Sequence, residues 1–234
     1  MVTVNTIQVA DLLPGDILLH RPSGEKLHQK MISHVTGSPY THVSICIGSD
    51  EIAEMTLAGL RVRNISSTLE SENQIGVQRS QLVFGHQRIN LLRSFVSELL
   101  DAEIKYDPWG FLHYASRKFE FTSNELRILQ ARYGEFSSHD ELVNRKYFCS
   151  AFIVACFCVV GIISESAQIA YLPDLFSPAD LHSDPTFGWV LGYLEIPGRV
   201  IDKSDQLSNS TLWQEAEEVP WWRGFNLKSS TSLN

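Results

Sequence analysis

The sequence lacks the features that mark several large classes of protein. Its most apolar stretch, Phe148 to Ser164, is shorter than the ~20 residues that a helix needs to span a bilayer, which favours a buried core helix. Lysine and arginine form no cluster, and the net charge of −8 disfavours nucleic acid as a partner. The first residues show neither a basic region nor a continuous apolar segment. We therefore expect no signal peptide and a cytoplasmic location.

Motifs for phosphate, metal and disulfide chemistry are also missing. The glycines fit neither G-x-x-x-x-G-K-[ST] nor G-x-G-x-x-G. The histidines outside the motifs discussed below do not form metal-ligand spacings with acidic residues, so we expect neither a metal nor an organic cofactor. The four cysteines are not spaced as a disulfide framework or a C-x-x-C pair, which predicts reduced thiols: Cys46, Cys149, Cys156 and Cys158.

The composition is that of a globular chain, with 44% hydrophobic and 20% charged residues. We predict one domain over residues 1–203, followed by a polar tail over residues 204–234 that is partly disordered or docked on the domain. The tail carries Trp213, Trp221 and Trp222, which could dock it.

Hydrophobic spacing divides the chain into a β-rich first half and an α-rich second half. His42 to Gly48 alternates between apolar and polar residues as a half-buried strand does, and Glu51 to Glu54 is its predicted return strand. The pattern further predicts strands at 17–19, 60–65, 88–92 and 189–196, and helices at 95–104, 109–119, 124–133 and 149–163. Strands followed by helices without strict alternation favour an α+β fold.

Cys149 opens the most apolar helix predicted for the chain. A cysteine at a helix N-terminus lies beside unpaired backbone N–H groups and the positive end of the helix dipole, which favour the nucleophilic thiolate. The same N–H groups can bind an oxyanion. A buried structural thiol is the simpler interpretation of this one residue.

His42 and Glu54 are the candidate partners of that thiol. His42 begins an alternating strand, which fixes the direction of its imidazole as a general base requires. Glu54 lies across a tight turn on the predicted partner strand, where its carboxylate could accept the second imidazole N–H. Each residue alone could be an ordinary strand or surface residue, and it is the ordered set of three that indicates a thiol hydrolase.

Several segments resemble the NlpC-type papain-like hydrolases, in the circularly permuted branch of YiiX-like proteins and lecithin–retinol acyltransferase relatives. In that branch the histidine and its polar partner precede the cysteine, as His42 and Glu54 precede Cys149. The matching segments are Leu13-Pro-Gly-Asp-Ile-Leu18, Ser38-Pro-Tyr-Thr-His-Val-Ser-Ile-Cys-Ile-Gly48, Glu51-Ile-Ala-Glu-Met55, Lys105-Tyr-Asp107, Tyr147-Phe-Cys-Ser-Ala-Phe152 and Ser177-Pro-Ala-Asp-Leu181. The resemblance implies an antiparallel sheet packed against a buried, nucleophile-bearing helix.

This resemblance also implies a chemistry, with some departures from the family pattern. Cys149 would attack an amide or ester of a small peptide, amide or lipidated substrate, and Tyr40 and Tyr106 are candidates for oxyanion donors or pocket walls. Ala151 replaces the usual acidic residue, and the polar insertion 119–145 is either a lid or a surface excursion. An acyltransferase or lipid-handling protein, and an inactive binding module, remain alternatives. The oligomeric state is not indicated.

Overall fold

A computed structural model of the protein describes residues 5–24, 27–202 and 204–209. The strands are β1 (Thr6–Ile7), β2 (Ile17–Pro22), β3 (His42–Gly48), β4 (Glu51–Thr56), β5 (Gly59–Asn64), β6 (Glu72–Arg79) and β7 (Trp189–Leu194). The helices are α1 (Leu27–Thr36), α2 (His86–Asp101), α3 (Pro108–Leu112), α4 (Tyr114–Ser123), α5 (Glu125–Ala131), α6 (His139–Val143), α7 (Cys149–Val159) and α8 (Pro178–Ser183).

The seven strands form one sheet in the order β1-β7-β6-β2-β3-β4-β5. Every neighbouring pair is antiparallel except β1 and β7, which run parallel. The protein is therefore a mixed α+β structure, as the sequence pattern predicts. The last strand of the described residues, β7, returns to the sheet between β6 and the edge strand β1.

Helix α7 forms the centre of the main hydrophobic core. Its residues from Cys149 to Cys158 are all buried, which explains why the sequence is apolar on every side of this helix. It packs against β3, β4 and α2. Strand β3 contributes Val43, Ile45 and Ile47 to this core, so the opposite face of β3 is left for its polar residues.

The motif at residues 13–16 joins three strands of the sheet. Gly15 has a φ of 95°, a conformation that glycine adopts without strain, and its N–H donates to the Cys46 carbonyl. Asp16 is 1% exposed and accepts two 2.7 Å hydrogen bonds from Arg79 of β6. The motif therefore holds the start of β2 to β3 and β6, a structural role.

Residues 204–209 pack on the domain that precedes them. Asp205 is 3% exposed and accepts hydrogen bonds from Tyr40, Tyr193 and Arg21 at 2.8, 2.7 and 3.0 Å. Leu207 is buried in the main core. The three tryptophans named above, and the remainder of the predicted tail, lie outside the described residues, and the division at residue 203 stays a prediction.

Most predicted elements are present, and one is wrong. The segment 88–92, predicted as a strand, lies inside helix α2. Its apolar residue Leu92 is buried beside Phe95, Val96 and Leu99 on the same helical face, so the helical period continues through the segment. The sequence pattern also missed α1 and β6. Among the described residues, no helix combines the length and the apolar character that crossing a membrane requires.

The docking of residues 204–209 gives a testable stability effect. A Cβ added to Gly76 of β6 would overlap the Leu207 side chain. We expect Gly76→Ala to lower the free energy of unfolding by about 1–2 kcal/mol, because overpacking forces buried groups to move. In a Leu207→Ala background the same change should be neutral or stabilising. Urea unfolding of the four proteins measures both effects, and equal losses in the two backgrounds would contradict the contact.

Candidate active site

His42 and Glu54 form a direct pair on neighbouring antiparallel strands. His42 is the first residue of β3 and Glu54 lies within β4, and both side chains project from the sheet face opposite the main core. His42 Nε2 lies 2.7 Å from Glu54 Oε2. Glu54 is 1% exposed, whereas 24% of the His42 side chain is exposed. The buried carboxylate therefore fixes the orientation of an imidazole that remains accessible.

Cys149 reaches this pair from the other side of the sheet. Helix α7 packs on the face that carries Val43 and Ile45, but Cys149 is its first residue and His42 is the first residue of β3. The thiol and the imidazole therefore line the same cavity at the end of the sheet, where the nearby Cys149 raises the pKa of His42. Glu54 engages Nε2 of His42, which leaves Nδ1 as the nitrogen available to the thiol.

The charged forms of His42 and Glu54 support one another. Burial alone would lower the pKa of His42, but hydrogen bonds to Cys149 and Glu54 outweigh it and raise that pKa to about 10. Burial would raise the pKa of Glu54, but the His42 hydrogen bond and the nearby His20 and Arg63 lower it to about 2. The arrangement therefore favours an imidazolium between two acidic groups.

Arg63 extends this series of charges beyond Glu54. Its Nε lies 2.6 Å from Glu54 Oε1, and its side chain is 41% exposed. The contact is an ion pair without the geometry of a directed hydrogen bond. Arg63 was not among the residues predicted from sequence, although it is two residues from Arg61 on the same face of β5. Only the pairing of β4 with β5 brings it beside Glu54.

The two predicted tyrosines are placed differently. Tyr106 lines the same cavity as Cys149 and His42. An isolated parallel β-bridge to Tyr147 holds its backbone in place. Burial, together with the nearby Cys149, raises the pKa of Tyr106, so the phenol keeps its proton. Tyr40 is 1% exposed and donates its hydroxyl hydrogen bond to Asp205. The structure therefore brings Tyr106, but not the Tyr40 hydroxyl, to the Cys–His–Glu cluster.

The cluster opens into a cavity of about 610 Å³. The cavity wall includes ends of β2 and α1, the turn between β4 and β5, and polar side chains that sequence reasoning did not select, namely His20, Thr41, Arg61, Arg63 and Glu72. None of the described residues that line it comes from the insertion 119–145, which forms α5, α6 and the end of α4. The alternating pattern of β5 is a sequence signal that could have indicated the two arginines, whereas His20 follows a continuous apolar run in β2.

The fold and the cavity together define an α+β protein with a cysteine, a histidine and a glutamate gathered at the end of its sheet. No protein-family model matches the chain. It is similar to Probable lipoprotein peptidase YaeF of Escherichia coli (strain K12), with 23% identity over 189 residues. The alignment covers 76% of this chain and 66% of the relative, so the chain spans slightly less than two thirds of that protein.

We expect Cys149 to be the fastest-reacting thiol of the protein. Burial raises the pKa of Cys46 to about 11 and of Cys158 to about 12, and that of Cys156 well above its usual range, so these thiols stay protonated near pH 7. Cys149 faces the His42 imidazolium. Iodoacetamide labelling followed by peptide mass spectrometry should place the first adduct on Cys149, and His42→Ala should slow it. Equal labelling of all four native thiols would rule this out.

The titration of His42 tests the same ion pair independently. Its folded pKa of about 10 lies above the unfolded value of ~6.5, so the stability contributed through His42 is complete below pH ~6.5. That contribution is lost as the pH rises through about 10. Cys149→Ala and Glu54→Gln each remove a group that raises the His42 pKa, and each should lower that pKa. Imidazole ¹⁵N NMR across pH checks this, with His42→Gln for assignment, and an unshifted pKa in both variants would contradict it.

Proposed function

We propose that this protein is a thiol hydrolase of the peptidase or amidase type, with the circularly permuted papain-like arrangement that its motif order resembles. The observation that carries the proposal is that Cys149 and His42 line one cavity while His42 Nε2 lies 2.7 Å from the buried Glu54. A nucleophile, a base and a group that orients the base are the parts that covalent acyl transfer needs. The peptidase name of the similar protein supports the same reaction class.

In the proposed reaction, the Cys149 thiolate attacks the carbonyl carbon of an amide. The oxyanion is held by backbone N–H groups at the start of α7, whose N-cap residue Phe148 has no side-chain acceptor to occupy them. The C–N bond then breaks as the His42 imidazolium gives its proton to the leaving amine, and a thioester remains on Cys149. His42 next takes a proton from water, which attacks the thioester and releases the acid and the thiolate–imidazolium pair.

Glu54 keeps Nε2 of His42 engaged throughout, so Nδ1 stays directed at the reacting atoms. Tyr106 is the proposed side-chain donor or wall residue beside the acyl group, since it lines the cavity with its phenol protonated. The cytoplasmic location, the lack of a cofactor and the identity of the substrate stay predictions. Transfer of the acyl group to added amines, compared with its release to water, separates a hydrolase from the acyltransferase alternative.

Three substitutions test the proposed roles. Cys149→Ala and His42→Ala should each abolish turnover, because no other described residue of the cavity wall is a thiol, and His20, the other histidine there, is oriented by Ser44 and not by Glu54. Glu54→Gln should leave a reduced but measurable rate, because a thiol loses its proton more readily than a serine hydroxyl and needs less help from its base.

Turnover of model peptide amides and thermal unfolding of each variant measure these effects. We expect all three variants to fold, because α7 and the sheet keep their apolar packing. Full activity in Glu54→Gln would remove Glu54 from the mechanism and leave a Cys–His pair. Turnover in Cys149→Ala would reject the thiol mechanism altogether.

A further inference from the structure

A second polar cluster lines the cavity beside the Cys–His–Glu cluster. It consists of His20 on β2, Thr41 just before β3, and Glu72 at the start of β6, which are 1%, 2% and 8% exposed. Within the described part of the chain, His20 Nδ1, Thr41 Oγ1 and Glu72 Oε2 have no hydrogen-bond partner. Buried polar atoms without partners are costly and uncommon, so three of them in one cavity wall require an explanation.

The strand pairing fixes His20 beside the proposed catalytic histidine. His20 is opposite His42 in the β2–β3 register, and the ring centroids are 5.4 Å apart. His20 Nε2 lies 2.7 Å from the Ser44 hydroxyl, which orients the ring and leaves Nδ1 directed elsewhere. Nδ1 is 3.7 Å from Glu72 Oε1, too far for a hydrogen bond. A small group that donates hydrogen bonds could therefore bridge His20 Nδ1 and Glu72 Oε1.

The charges along the cavity are arranged asymmetrically. His42 faces the Cys149 thiol, and Glu54 is paired with Arg63. Two charged groups of the cavity wall are not part of these pairs, namely the Glu72 carboxylate on β6 and the Arg61 guanidinium on β5. They lie on opposite sides of β3 and β4. Arg61 has no ion-pair partner among the described residues. A cation in the cavity is therefore drawn toward Glu72 and repelled from the β5 side.

We propose that Glu72, Thr41 and His20 form a subsite that binds an ammonium group of the substrate. The inference rests on the proposed function and narrows its substrates to amides that carry a free amine. An ammonium group has three donors. The Glu72 carboxylate, the Thr41 hydroxyl and His20 Nδ1, when Nε2–H donates to Ser44, supply three acceptors. Strand β6 lies two strands from β3, ~10 Å away, so the amine lies one or two residues from the scissile carbonyl.

Bromoacetyl amides of diamines test this subsite without a known substrate. Cys149 displaces bromide from the bromoacetyl carbon, while the free amine at the other end of the probe can reach Glu72. A spacer of two carbons imitates a free amino terminus and a spacer of five carbons imitates a lysine side chain. Each probe is compared with its N-acetylated, uncharged counterpart, and mass spectrometry locates the adduct.

We expect at least one ammonium probe to alkylate Cys149 about tenfold faster than its neutral counterpart, the effect of roughly one hydrogen bond to a charged group. The spacer with the larger ratio identifies the source of the amine. Glu72→Gln should bring that ratio to about one. Glu51→Gln removes the same charge from an exposed position outside the cavity, and should keep the ratio, which separates the subsite from the general attraction of an acidic protein for cations.

Thr41→Val provides a second variant if Glu72→Gln does not fold, and should reduce the ratio by removing one acceptor. The subsite would be overturned by a ratio of about one for both spacers in the native protein. If Cys149 is still labelled ahead of the other cysteines in that case, the proposed thiol hydrolase is unaffected. Labelling of Cys149 that is no faster than that of the other cysteines would reject the proposed function, and the subsite with it.

Discussion

The burial of α7 against one face of the sheet is the constraint on which the site depends. A helix that is apolar on all sides must be surrounded, and α7 is enclosed by β3, β4 and α2. His42 and Glu54 project from the other face of the same strands. Cys149 is the first residue of this helix and His42 is the first residue of β3, and both line the cavity at the end of the sheet. The position of Cys149 is thus a consequence of core packing.

The polar side of the sheet is organised by pairing of opposite charges. Arg63, Glu54, His42 and Cys149 follow one another in contact across β5, β4, β3 and the start of α7. Cys149 and Glu54 stabilise the charged form of His42, and His42 and Arg63 stabilise that of Glu54, which offsets the cost of holding these charges in a partly buried place. His20, Thr41 and Glu72 are different, because these residues line the cavity and each has a buried polar atom without a hydrogen-bond partner. The sheet face therefore carries one cluster whose charges are paired with one another and a second cluster with polar atoms that have no hydrogen-bond partner.

Residues 204–209, which follow β7, support the same region of the sheet. Asp205 accepts hydrogen bonds from Tyr40, two residues before His42, and from Arg21, next to His20. A buried carboxylate that ties together the entry to β3 and the end of β2 restricts the positions of both histidines. This explains why the Tyr40 hydroxyl is absent from the cavity wall, although the sequence places it close to His42.

Local patterns in the sequence were enough to predict the α+β class, strand β3, its return strand and the buried helix at Cys149, because each follows from the spacing of apolar residues. They failed at 88–92, where a short apolar segment has no period of its own, and at β6, whose polar residues become buried only between neighbouring strands. The order of the motifs along the chain predicted Cys149, His42 and Glu54 as the site residues. The tertiary structure alone placed Arg63 on Glu54 and His20 beside Glu72, because strand register joins residues whose separation along the chain carries no signal.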